Sequence, residues 1–191
     1  MIQTRSAQLL FATLVAVSTT SAQPAAQPSA PPAPNRSGPV IQSGGATYDV
    51  PRIDFKTPLD LTYRVAFELS KGSSPATAVD PGLDSVARFL NMQARAGVPL
   101  GQLKLAVVVH GGATLDLLNN EAYRERTGAN NPNLTLIADL SKAGVQIIVC
   151  GQSAASRGLT KEMFLEPVNV ALSAMTAFAV LQERGYHVNP F

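Results

Sequence analysis

Residues 145–158 read VQIIVCGQSAASRG, and this stretch decides how the rest of the chain is interpreted. A run rich in β-branched residues leads to Cys150, and the glycine that follows ends the run. Small polar residues then lead to Arg157 and Gly158. The pattern predicts a buried strand, a turn and the start of a short helix. A side chain at the end of such a strand lies where ligand crevices form in open α/β sheets.

The sequence before this stretch predicts strands that alternate with helices. A partly alternating run at 63–69 and a nearly continuous apolar run at 103–109 predict two strands. Asp-Pro and Asn-Pro pairs precede apolar residues at helical spacing, which predicts helices that start at Asp80 and Asn131.

The sequence after Cys150 continues this alternation. We expect a short strand at 168–170, a helix at 171–184 and a final short strand at 186–188. The helix is apolar on both faces, which indicates that it is largely covered. Alternating strands and helices predict one three-layer α/β/α sandwich whose mostly parallel sheet has helices on both faces.

The N-terminal region predicts export. Residues 1–22 combine Arg5, an apolar run at 9–17 and small residues at the end, as in a secretory signal peptide. The alternative is an uncleaved N-terminal anchor or a disordered tail. Residues 23–45 are rich in proline and alanine, which predicts a disordered tether, and residues 46–191 form the predicted domain. We therefore expect a periplasmic or secreted protein, with no membrane association after the signal peptide is removed.

Composition excludes several classes of function. The formal net charge is +2 and no dense cluster of Lys and Arg is present, so neither a nucleic acid nor an anionic membrane is expected as a partner. The chain has one cysteine and two histidines, without the H-E-x-x-H or CxxC patterns of metal sites. We expect neither a metal ion nor a cofactor.

Cys150 has no cysteine partner within the chain. In an oxidising compartment, such a thiol is buried and inert, paired between subunits, or kept as a reactive group. Reactivity needs the thiolate, which a helix N-terminus after Gly151 and the nearby Arg157 would favour. The alternative for Arg157 is a solvated surface charge.

His110 ends the predicted strand that precedes the Cys150 strand in sequence. If these strands are neighbours, His110 and Cys150 face one crevice, and the imidazole can exchange the thiol proton. The alternative is a histidine bonded to a nearby backbone carbonyl. Gly111 and Gly112 would let the backbone approach an anion, although a Gly-Gly pair is also a simple turn signal.

Taken together, these features resemble the DsrE/DsrF-like family over roughly residues 60–191. The resemblance rests on an apolar strand ending in His-Gly, a helix at Asn-Pro-Asn-Leu, and Cys-Gly-Gln-Ser followed by Arg-Gly. The Ala-Leu-Ser-Ala-Met helix and a Gly-Tyr strand extend it. The resemblance implies a compact α/β/α sandwich that assembles into trimers or hexamers.

The resemblance also implies a chemistry. The best-understood family members, of the DsrE and TusD type, are cytoplasmic proteins that hold sulfur as a persulfide on one cysteine and pass it to a partner protein. Cys150 matches that cysteine, and Arg157 or backbone donors would steady the anionic persulfide. The predicted site has Cys150 and His110 as catalytic residues, and as binding residues Gly111, Gly112, Gly151, Gln152, Ser153 and Arg157.

The leading hypothesis is an exported sulfur carrier or sulfurtransferase that binds or transfers sulfane sulfur on Cys150. Its partners would be a sulfur donor or acceptor protein, or a small sulfur species, and the chain would be a homo-oligomer. Two alternatives remain open. One is a non-catalytic oligomeric module that binds a small ligand, and the other is a thiol redox sensor.

Overall fold

The computed structural model of the chain describes residues 37–189. The predicted signal peptide at 1–22 and the first part of the predicted tether lie outside the described residues. Within 37–189, no helix combines the length and the apolar character needed to cross a bilayer.

Five strands form one sheet in which every pairing is parallel. The strands are β1 (Tyr63–Leu69), β2 (Leu103–Val109), β3 (Gln146–Cys150), β4 (Val168–Ala171) and β5 (His187–Asn189). Their order across the sheet is β4-β3-β2-β1-β5. The Cys150 strand therefore lies between β2 and β4.

Five α-helices connect these strands. They are α1 (Pro81–Arg95), α2 (Asn120–Thr127), α3 (Leu134–Lys142), α4 (Gly151–Ala155) and α5 (Ala174–Glu183). Three short 3-10 helices lie at Leu100–Gln102, Gly111–Leu117 and Lys161–Met163. The predicted alternation of strands and helices is confirmed.

The two faces of the sheet belong to two different cores. In β2, Leu105 and Val107 pack in the larger core with the buried residues of α1, α2 and α3. The intervening Ala106 and Val108 pack in a smaller core with Ala177 of α5. Because successive residues of a strand point to opposite faces, helices cover both sides of the sheet. The predicted α/β sandwich is confirmed.

The outer side of α5 is uncovered by other described residues, so the expectation that this helix is largely covered is wrong. Met175 is 80% exposed and Val180 43%, and Leu172, just before the helix, is 73% exposed. The apolar residues of α5 that contact the sheet, such as Leu181, lie on its other side. Apolar residues on both faces of α5 thus did not mean that the described residues cover both faces.

Residues 37–47, most of which fall in the predicted tether, pack against α1. Ile41 is 1% exposed, and the fully buried Asn91 of α1 binds the backbone around it. The Asn91 side chain accepts hydrogen bonds from the N–H groups of Val40 and Ile41 at 3.1 and 2.9 Å. It donates to the carbonyl of Ile41 at 3.0 Å. The Asn91 side chain thus supplies hydrogen-bond partners to backbone groups of a segment that has no secondary structure.

The helix predicted to start at Asn131 begins at Leu134 instead. The Asn131 amide is used in tertiary contacts, because it donates to the carbonyls of Asp116 and Leu118 at 2.9 and 2.7 Å. Its oxygen accepts from the N–H of Asn133 at 2.9 Å. The asparagine therefore fixes the end of a neighbouring 3-10 helix rather than capping α3.

Candidate thiol site at the carboxyl edge of the sheet

Strand register places Cys150 on an interior strand, at the carboxyl edge of the sheet. Val149 pairs with Val109 of β2, so the backbones of Cys150 and His110, the next residue in each strand, lie beside each other. On its other side, Cys150 pairs with Ala171 at the end of β4. The loops that follow β2, β3 and β4 therefore meet around Cys150, as expected for a parallel sheet.

The starts of two successive helices, α4 and α5, lie at the Cys150 sulfur. Cys150 lies at the N-cap of α4, where the N–H of Ser153 donates to Sγ at 3.4 Å. The N–H groups of Gln152 and of Ala174, the first residue of α5, also lie close enough to favour a negative charge on it. N–H groups at helix starts have no partner within the helix and favour an anion.

These contacts govern the acidity of the thiol. Burial by itself raises the pKa of Cys150, which is 6% exposed. The hydrogen bonds from the hydroxyl and N–H of Ser153, and from the N–H groups of Ala174 and Gln152, act in the opposite direction. Their sum lowers the pKa of the thiol below its ordinary value. The site therefore favours the thiolate, the reactive form of cysteine.

Gly151 allows the start of α5 to approach Cys150. A Cβ atom at this position would stand 2.5 Å from the carbonyl oxygen of Ala171 and 3.2 Å from that of Leu172. Any side chain here would push away the turn between β4 and α5. That turn carries Ala174, so the absence of a side chain at Gly151 is what brings the N–H of Ala174 to the sulfur.

The Ser153 hydroxyl links the thiol to the glycine loop after β2. The N–H of Gly111 donates to Ser153 Oγ at 3.1 Å, and the same hydroxyl lowers the pKa of the Cys150 thiol. A hydroxyl oxygen can accept from Gly111 while its own proton points at the sulfur. Ser153 thus provides both a backbone and a side-chain donor to Cys150.

Gly111 and Gly112 pack against the loop that follows β1. Gly111 has a φ of 55°, and a Cβ there would lie 2.8 Å from the carbonyl oxygen of Ser70. The N–H of Ala113 donates to the same oxygen. The glycines therefore permit close backbone packing, and the N–H of Gly111 is engaged with Ser153. Their predicted role in binding an anion stays a prediction.

The His110 ring is oriented towards β1. Its Nε2 atom lies 2.9 Å from Oε1 of Glu68. Within residues 37–189, no hydrogen bond joins this ring to Cys150. The predicted exchange of a proton between His110 and the thiol stays a prediction.

Arg157 and Gln152 bind backbone carbonyls with their side chains. Nη1 of Arg157 donates to the carbonyl of Ser153 at 3.0 Å. Nε2 of Gln152 makes a long contact of 3.4 Å with the carbonyl of Leu172. A cation near the carbonyls of a short helix is favourable, which accounts for the position of Arg157. The contact of Arg157 with a persulfide stays a prediction.

Sequence reasoning missed two contributors, Ala174 and Glu68. Ser173 caps α5 by accepting the N–H of Thr176 at 3.0 Å, and serine is a strong N-cap signal that could have placed the helix start correctly. No local signal indicates that Glu68 meets His110, because that contact depends on strand register. Within residues 37–189, no cluster of three or more His, Cys, Asp or Glu side chains could hold a metal ion.

The chain is similar in sequence to one family and in structure to two solved proteins. The sequence matches the DsrE/DsrF-like family over residues 65–190. The ychN protein from E. coli has a similar structure, with a TM-score of 0.50 and 12% identity over 68% of this chain and 99% of its own. MTH1491 from Methanobacterium thermoautotrophicum, a protein of unknown function, gives 0.48 and 16% over the same shares. No curated protein matches the chain.

We expect Ser153→Ala to raise the pKa of the Cys150 thiol, because the variant lacks the hydroxyl that donates to the sulfur. Below the thiol pKa, alkylation by iodoacetamide should slow by roughly tenfold, the value of one charge-assisted hydrogen bond. The control is Ser156→Ala, which removes a hydroxyl that donates to the carbonyl of Ser153 at 3.1 Å. Superimposable pH profiles for Ser153→Ala and the wild type would contradict this assignment.

We expect Gly151→Ala to displace the turn before α5, because the new methyl group would overlap the carbonyl oxygen of Ala171. The variant should lose ~1–3 kcal/mol of unfolding free energy, as overpacked sites do, and its thiol pKa should rise. Thermal unfolding and alkylation kinetics measure these effects. Gly101→Ala is the control, since nothing lies within 4 Å of its added methyl group. Equal behaviour of the two variants would refute the role of Gly151.

Proposed function

The chain belongs to the DsrE/DsrF-like family, and from this premise we propose that it carries sulfane sulfur as a persulfide on Cys150. The observation that carries the proposal is the convergence of N–H groups from two helices on one sulfur atom. Such a site stabilises a negative charge on sulfur before any substrate arrives. Sulfur relay is also the chemistry that the family suggests.

The proposed transfer needs no electron donor or acceptor. The Cys150 thiolate attacks the outer sulfur of a donor persulfide, R–S–SH. A new S–S bond forms to Cys150, the bond between the two donor sulfurs breaks, and the donor leaves as the thiolate R–S⁻. Attack by an acceptor thiolate on the outer sulfur of Cys150 passes the cargo on, and Cys150 returns to its thiolate form.

The donor groups around Cys150 suit both stages of this cycle. They favour the attacking thiolate in the first stage, and in the second they favour the same thiolate as the leaving group. A leaving thiol of lower pKa departs faster in such exchanges. The sulfur donor would be a small sulfur species or a protein persulfide, and the acceptor a protein thiol.

The exposed side of α5 supports the proposal of a homo-oligomer. Leu172 and Met175 are 73% and 80% exposed, and they flank in sequence the Ala174 N–H that binds the sulfur. Large apolar side chains exposed together are typical of protein interfaces. A trimer or hexamer is the assembly that the family resemblance implies.

Export remains part of the proposal through the predicted signal peptide at residues 1–22. Outside the cytoplasm, the donor and acceptor would differ from those of a cytoplasmic relay. A lone cysteine also has no intramolecular partner there, so its thiolate is not lost to an internal disulfide.

A second candidate, a thiol redox sensor, is favoured by the same lowered thiol pKa. In that role an oxidant such as a peroxide would convert Cys150 to sulfenic acid. The products differ in mass, because a persulfide adds one sulfur atom and a sulfenic acid adds one oxygen atom. A module that only binds a small ligand would give neither product.

We expect the mature wild-type protein to gain the mass of one sulfur atom after incubation with polysulfide, because Cys150 takes up the outer sulfur. Intact-protein mass spectrometry measures the gain, which dithiothreitol should reverse. Cys150→Ser should show no gain, and Ser156→Ala should behave as the wild type. Addition of a small thiol acceptor should remove the sulfur and release it as an acceptor persulfide.

An unmodified wild-type mass, together with slow alkylation of the thiol, would refute the sulfur-carrier proposal. A gain of oxygen with peroxide but no gain of sulfur with polysulfide would favour the redox sensor instead.

A further inference from the structure

Two acidic side chains outside the thiol site are buried together. Asp80, at the N-cap of α1, is 2% exposed, and Asp116, in the 3-10 helix after β2, is 3% exposed. Their carboxyl groups lie within hydrogen-bonding distance of each other. Two buried carboxyl groups in contact are costly when both are ionised, and nothing in the proposed sulfur chemistry uses them.

The two carboxyl groups hold separate parts of the chain. Asp80 accepts the N–H of Leu83 at 2.9 Å and so caps α1. Asp116 accepts the N–H of Ser73 at 3.0 Å and the side-chain amide of Asn133 at 3.2 Å. Asn133 in turn accepts the N–H of Asp80 at 2.8 Å. The pair therefore joins the segment between β1 and α1 to the 3-10 helix.

Within residues 37–189, no positive side chain is paired with either carboxyl group, although Lys71 lines the same cavity as Asp80, together with Glu68. The titratable group that faces the pair from α2 is Tyr123, whose hydroxyl donates to the carbonyl of Ala76 at 2.7 Å. Ser73 and Asn133, from the loop and from the start of α3, are neutral. A proton shared by the two carboxyl groups is thus the simplest way to hold them together.

We propose that Asp80 and Asp116 form a proton-operated clasp on residues 70–80. While the pair holds one proton, a hydrogen bond between the two carboxyl groups fixes this segment to the 3-10 helix. When that proton leaves, two adjacent negative charges repel each other and the segment loosens.

The acidity of the pair sets the pH at which the clasp works. Burial, opposed by the bonds from Ser73 and aided by the Asp80 charge, raises the pKa of Asp116 from 3.8 to about 6. A carboxyl group whose pKa is raised on folding stabilises the fold most when protonated. Its contribution to stability is complete below the pKa that Asp116 has in the unfolded chain and is lost as the pH rises through about 6.

The clasped segment supports the loops of the thiol site. The carbonyl of Leu69 accepts the N–H of His110 at 2.9 Å, and that of Ser70 accepts the N–H of Ala113 at 3.3 Å. Between these residues, Gly111 donates to the Ser153 hydroxyl. An effect of the clasp on sulfur transfer rests on the proposed function, whereas the clasp itself does not.

Hydrogen exchange of the full chain, read by mass spectrometry at about pH 5 and about pH 7.5, tests the clasp directly. After correction for the intrinsic pH dependence of exchange, protection of residues 70–80 in the wild type should fall about tenfold or more at the higher pH. Protection of β2 should stay constant. Asp116→Asn removes one of the two charges, so protection of residues 70–80 should change less than about twofold between the two pH values.

Two further variants complete the test. Asp80→Asn also removes one charge and keeps a good N-cap, so it decides the matter if Asp116→Asn does not fold. Glu125→Gln removes an exposed carboxylate of α2 and should keep the pH dependence of the wild type. Equal wild-type protection at both pH values, or an unchanged pH dependence in both Asp→Asn variants, would overturn the clasp. This exchange does not involve Cys150, so its result is independent of the sulfur-carrier proposal.

Discussion

The close approach of the β4–α5 turn to Gly151 is the constraint on which the thiol site depends. Only a residue without a Cβ fits at this position, because a Cβ atom would lie 2.5 Å from the carbonyl oxygen of Ala171. The approach brings the start of α5 to a sulfur that already caps α4. Because the backbone supplies most of the donors, strand order and register fix the electrostatics of the site before any substrate binds.

A second layer of backbone packing supports this arrangement from the other side. Leu69 and Ser70, at the end of β1, bind the residues that flank Gly111, and Gly111 binds the Ser153 hydroxyl that faces the sulfur. The end of β1 is thus connected to the thiol site through the loop that follows β2. The same packing places His110 over β1, which explains why its ring meets Glu68 although its backbone lies beside Cys150.

The sequence predicted the parts of this structure that local patterns determine. Apolar runs that end at a polar residue or a glycine placed His110 and Cys150 at strand ends, and the structure has both there. Contacts set by register and by the third dimension escaped prediction. Examples are the Ala174 N–H at the sulfur and the carboxyl contact of Asp80 with Asp116. The contact of Asn91 also escaped prediction. Its buried amide binds a segment about 50 residues away, and composition alone suggests that this segment is disordered.

We conclude that this fold holds the Cys150 sulfur as an anion more readily than water does. The most direct test is a spectroscopic titration of the wild-type thiol, following thiolate absorbance in the ultraviolet and subtracting Cys150→Ser as the background. We expect a thiol pKa below the ordinary value of about 8.5 for cysteine. A pKa at or above that value would mean that burial outweighs the converging N–H groups and that the fold does not stabilise the thiolate.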